Sequence, residues 1–125
     1  MITEDYVSFE TAKLLKEKGF NYPCRVVYSP KGVVKHYLKE EVYAHHLKGH
    51  KKLCPTLQMA MKWLREVHKI FIEISVSIDL NGEYHYSYSI LDKECKYVRK
   101  GHTDFDWNYE EAVEAAIKYC LNNLI

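Results

Sequence analysis

The sequence predicts an α+β fold. It reads as a two-layer single domain over residues 1–125, with three helices on one face of an antiparallel sheet of about four strands, in the order αββαββα. Three observations predict it. Residues 70–91 alternate apolar and polar side chains about a central Asn81-Gly82, the pattern of a half-buried hairpin. Three other segments carry apolar residues three and four apart between recognisable caps and stops. A chain of 125 residues is the length of one domain and buries roughly two thirds of its unfolded surface, so it folds without disulfide or metal.

The first helix starts at Ser8, an N-cap residue, with Glu10 in its first turn and Gly19 as its stop. Phe9, Ala12, Leu14 and Leu15 are its apolar side, and Phe20 is placed to fold back on it. Asn21-Tyr22-Pro23 is a turn. Arg25–Tyr28 and Val33–Leu38 read as short strands around Ser29-Pro30-Lys31-Gly32, although Lys39–Ala44 also suits a helical turn. Ala44–Leu53 has no period and is expected to be a loop. A second helix opens at Cys54-Pro55-Thr56, with either Thr56 as cap or Pro55 in the first turn. Leu57, Ala60, Met61, Leu64 and Val67 form its apolar face, widened by Met59 and Trp63.

The hairpin follows directly. A two-residue Asn81-Gly82 turn sets aliphatic side chains of one strand beside polar ones of the other. A slip of one residue pairs Ile78 with Tyr84, Val76 with Tyr86, Ile74 with Tyr88 and Ile72 with Ile90. The predicted loop is therefore Leu80-Asn81-Gly82, a type I turn closed by a left-handed Gly82. The dry face is expected to be buried along its whole length. Asp92–Asp106 is polar, with an irregular strand near Lys96–Val98 and then a loop. Trp107 is placed as a lid on the core. Asn108 with Glu111 three residues on resembles a capping box, and the apolar stripe from Tyr109 to Leu124 is the third helix.

Net charge is +1, so global charge steers no partner, but its distribution is uneven. Lysines and histidines crowd Lys35–Leu53, and acids crowd the segment after Thr103. The cysteines, Cys24, Cys54, Cys95 and Cys120, are far apart without CxxC spacing, which fits reduced thiols in a cytoplasmic compartment. The acidic start Met1–Asp5 is no signal peptide, and no apolar run is long enough for a membrane span.

Three blocks carry a resemblance: Asp5 to Phe20; Pro55-Thr56 followed by Lys62-Trp63-Leu64-Arg65-Glu66; and Tyr109-Glu110-Glu111-Ala112 running to Leu124-Ile125. With the hairpin between the last two, the chain resembles a family of short uncharacterised proteins of Bacteroidales genomes, often near prophage or other mobile-element genes. The Trp63–Glu66 block is the most specific part, and Val33–Leu53 departs from the family's pattern. The resemblance implies a cytoplasmic accessory protein. It implies no catalytic activity, and no residue inherits a role from it.

Five groups of residues carry hints of chemistry. His46, His50 and Cys54 are spaced by four, the spacing of metal ligands on one helix face, but Gly49 and Pro55 oppose a helix through all three. His45-His46 resembles the paired histidines of metal-dependent nucleases but lacks a suitable further ligand. Lys48, His50, Lys51 and Lys52, with Tyr37 and Tyr43 upstream, are a candidate nucleic-acid-binding loop, though no recognition motif accompanies them. The tyrosines of the hairpin are read as core, with a ligand pocket as the sharper alternative. Ser75, Ser77, His85, Ser87 and Ser89, with Glu73, share the wet face of the hairpin; no nucleophile turn or oxyanion donor accompanies them, so this face is expected to meet a partner protein or a second copy. The reading is a non-catalytic interaction module with no cofactor, a protein partner or self-association, and no membrane contact. Nucleic-acid binding is the alternative, and a metal-dependent enzyme the third.

Overall fold

The computed structural model describes residues 5–125; residues 1–4 of the acidic start lie outside them. The described residues form α1 (Phe9–Glu17), β1 (Val26–Tyr28), β2 (Val34–His36), β3 (Lys52–Leu53), α2 (Leu57–His68), β4 (Phe71–Ile78), β5 (Tyr84–Leu91), β6 (Tyr97–Thr103) and α3 (Tyr109–Asn123). The α+β class stands. The strands, however, form two three-stranded antiparallel sheets, β2-β1-β3 and β4-β5-β6, in place of one sheet of about four, and the element order is αβββαβββα in place of αββαββα.

The division follows from loop closure. The Asp92 side chain accepts the N–H groups of Glu94 and Lys96, folding the chain straight back, so the near-neighbour β6 takes the free edge of β5. Within the smaller sheet, β1 is flanked on both sides, by β2 and by β3, a strand inside the segment expected to be loop. The rest of that segment holds one short 3₁₀ turn, Ala44–His46. β6 runs seven residues, well beyond the expected Lys96–Val98, and its pairing with β5 is irregular between Tyr88 and Leu91.

The helix ends behave as their sequences dictate. Ser8, Thr56 and Asn108 cap the three helices through their side chains, and Asn108 with Glu111 forms the reciprocal capping box. The Phe20 N–H donates to the Leu15 carbonyl at 2.9 Å, and its ring packs edge-on against Trp63. α3 lies on β4 and β5, α1 packs on α3 and β3, and α2 packs on α3 and β4. One core, including Leu15, Val26, Trp63, Leu64, Tyr88, Ile90 and Ile117, therefore serves both sheets.

The hairpin register is the slipped one, from Ile72–Ile90 to Ile78–Tyr84. The Asp79 N–H donates to Glu83 at 2.9 Å, the Gly82 N–H donates to Asp79 at 3.1 Å, and Gly82 has φ +81°, which closes the three-residue loop. Burial along the dry face departs from expectation. Ile72 and Ile74 are half-buried and Tyr88 and Ile90 are buried, but Val76 is 58% exposed, Ile78 61%, Tyr84 63% and Leu80 106%. Cover ends at Tyr86, whose ring meets Tyr109 in the first turn of α3 at 6.1 Å between centroids. The outer half of the ribbon overhangs the helices.

Candidate functional site

The overhanging tip is held by its own polar face. Asp79 Oδ1 accepts the N–H groups of Asn81 (2.8 Å) and Glu83 (3.0 Å), and Oδ2 lies 2.8 Å from His85 Nε2. The His85 hydrogen bond holds the Asp79 carboxyl below its ordinary range, and the Asp79 hydrogen bond raises the His85 imidazole above its own. The Phe105 ring stands edge-on to His85 at 5.5 Å. Asp79, Glu83 and His85 are the one group of three His, Cys, Asp or Glu among the described residues with ligating atoms within 4.8 Å of one another. The turn accounts for this cluster, since both Asp79 oxygens are engaged by the turn and the imidazole.

The wet face of the hairpin is less uniform than expected. Ser75 and Ser77 are exposed, while His85 and Ser87 are half-buried. Ser89 is only 8% exposed: its hydroxyl accepts the Gly101 N–H at 2.9 Å where β6 pairs irregularly with β5. Its hydroxyl is thus engaged inside the sheet. His85 and Ser77 are opposite each other across the strands, yet the imidazole is hydrogen-bonded to Asp79 and its Nδ1 is shut from solvent on the Phe105 side, so the Asp79–His85 pair does not continue to a serine. The larger exposed apolar surface lies on the opposite face, at Val76, Ile78 and Tyr84, with Leu80 at the turn.

Lys48, His50, Lys51 and Lys52 lie on the chain leading into and through β3. The Lys16 ammonium donates to the Lys51 carbonyl at 3.0 Å, and that of Lys52 to the His50 carbonyl at 2.7 Å. Lys52 and Lys13 approach the Phe9 ring at 5.3 and 5.8 Å. Burial, then the charges of Lys16 and Lys13, lowers the Lys52 pKa. The fold thus adds two α1 lysines to the loop lysines. Beneath the loop lies a cleft of about 230 Å³, lined chiefly by Ala12, Leu15, Phe20, Leu47 and Leu53. The helical spacing of Lys13 and Lys16 was readable; their meeting with β3 required the tertiary contact between α1 and β3.

His46, His50 and Cys54 are not brought together as a ligand set. His46 and His50 are exposed, whereas Cys54 is buried, with its thiol 3.7 Å from the Val7 carbonyl. Burial pushes the thiols up, to about 12 for Cys24 and Cys120 and about 11 for Cys54. His45 and His46 meet edge-on at 4.2 Å between centroids, and both rings lie within 5.6 Å of Tyr43 at the surface.

The hairpin tyrosines divide between core and surface. Tyr88 is buried, with Trp107 stacked on it at 5.9 Å as the expected lid. The Arg99 guanidinium lies 4.2 Å from the Tyr119 centroid and 5.8 Å from that of Tyr88, filling the space between them. Sequence reading did not single out Arg99, because a lone arginine on a polar edge strand carries no distinguishing pattern. Among the described residues, no helix is long and apolar enough to cross a membrane. Comparison with protein-family models, curated proteins and solved structures finds no match to this chain.

Proposed function

We propose that this chain is a non-catalytic interaction module of a reducing, cytoplasmic compartment, and that its contact surface is the overhanging half of the β4–β5 hairpin. One observation carries the reading: Val76, Ile78, Leu80 and Tyr84 are all more than half exposed. Together they offer roughly 500 Å² of side chain, in the size range of the largest patches on monomers, which are often functional. The ribbon carrying them is set by eight residue pairs and the Asp79 turn, so the surface is presented already formed. The buried, thiol-form Cys24, Cys54 and Cys120 support the compartment.

A photoreactive side chain at Leu80 tests the reading in the producing cell. The expected result is a discrete adduct that is lost on Ile78→Lys and absent when the probe stands at Lys31, on the smaller sheet's turn. Failure to form any adduct at Leu80 overturns the reading.

A second reading, polyanion or nucleic-acid binding, is favoured by the convergence of Lys13 and Lys16 on Lys51 and Lys52 beside Phe9. Binding to single-stranded oligonucleotides should then weaken steeply with salt and fall on Lys16→Glu together with Lys51→Glu. Salt-independent or unaltered binding excludes it.

A further inference from the structure

The interaction reading leaves open what covers the hairpin tip. Resting on it, we propose that the occupant is a second copy of this chain, joined by antiparallel pairing of β4 with β4 about a twofold axis at Ser75. β4 is an edge strand: β5 flanks it on one side, and among the described residues no strand flanks it on the other. The Asp79–Glu83 pair is hydrogen-bonded across the hairpin, so by alternation Ile72, Ile74, Val76 and Ile78 direct their N–H and C=O groups to the open edge. An eight-residue strand with one edge unpaired, and without proline or lysine, is a template for another strand.

The sequence of β4 is complementary to itself in this pairing. A dyad at Ser75 sets Ile74 opposite Val76 and Ile72 opposite Ile78, so the aliphatic side chains of both copies remain on one face. Glu73 falls opposite Ser77, and no acid meets an acid. A dyad shifted to Glu73 would put the two carboxylates face to face. The arrangement also matches where cover is present and where it is missing. The exposed outer half of each β4 comes to lie beside the inner half of the other, which α2 and α3 pack against. Leu80 of one copy is brought level with Ile70 of the other, next to the last turn of α2, where Val67 is half exposed. At the seam the aliphatic side chains of both β4 strands form one continuous stripe on the dry face, with Tyr84 of each copy one strand further out on β5. The product is one six-stranded sheet. Such a contact is isologous and closes on itself, because each copy spends its β4 edge on the other.

The test uses the purified full chain. Sedimentation equilibrium should report a dimer of the 14.8 kDa chain, and Ile78→Lys should give a monomer with an unchanged far-ultraviolet spectrum. Ser75→Cys in a Cys95→Ser background should form an intermolecular disulfide on mild oxidation, since residues facing at a non-hydrogen-bonded dyad lie within disulfide reach. The remaining cysteines are buried and do not compete. A chain that stays monomeric up to millimolar concentration, or a dimer that survives Ile78→Lys without the Ser75→Cys cross-link, overturns the inference. If that monomer still gives a Leu80 adduct heavier by some other protein, the interaction reading stands and only the second-copy assignment falls.

Discussion

His85 and Asp79 show how one residue pair conditions a surface. The pKa of His85 is raised from 6.5, so its contribution to tip stability is full below pH 6.5 and is lost as pH rises through the raised value. The pKa of Asp79 is lowered from 3.8, so its contribution is present above pH 3.8 and is lost as pH falls through the lowered value. Amide protection factors of the tip should accordingly be highest between those limits, and the His85 NMR titration should return toward 6.5 on Asp79→Asn. An unshifted His85 would show that the contact does not persist in solution. The pair was legible once the register was known, since both residues are on the wet face around one turn. Glu114 was not. Its carboxylate accepts the Ser8 N–H at 2.9 Å and the hydroxyl of buried Thr11, so α3 supplies the anion at the start of α1. Glu114→Ala should cost about 1–3 kcal/mol in urea denaturation, through a hydroxyl left buried without its acceptor.

At the scale of elements, local rules and tertiary context divide cleanly within one hairpin. Its register, loop length and left-handed glycine follow from alternation and turn chemistry. No other atoms lie within 4 Å of the Cβ position at Gly82, so Gly82→Ala meets no clash and should cost only the left-handed conformation, about 1–2 kcal/mol. The loss should appear as faster exchange confined to the tip. How far the dry face is covered depends on where α3 begins, and the hairpin sequence does not contain that. β6 illustrates the same limit. Its polar residues read as loop because an edge strand with both faces largely exposed shows no alternation.

Across the whole molecule, one core joins two sheets, and unfolding should be a single transition by tyrosine absorbance and by far-ultraviolet dichroism alike. Trp63, buried among Phe20, His68 and its own helix neighbours, should cost about 3–5 kcal/mol as Trp63→Ala. Ile78→Ala should change monomer stability by about 0.5 kcal/mol or less. Equal costs at the two positions would mean that the tip is packed in the monomer. The contrast separates apolar residues that hold the fold from those available to a partner.

By itself the sequence determined the α+β class from its periodicities, and the caps at Ser8 and Asn108 and the hairpin register, because caps depend on neighbours within a few residues and the register on a strand joined by a tight turn. Tertiary structure alone decided that the strands divide into two sheets, that Ser89 turns inward to serve β6, that Lys13 and Lys16 join the lysines at β3, and that half of an apolar face is left in water. Those outcomes depend on which distant surfaces run out of cover. Periodicity reports which face of an element is apolar, and only packing decides how much of that face another element reaches.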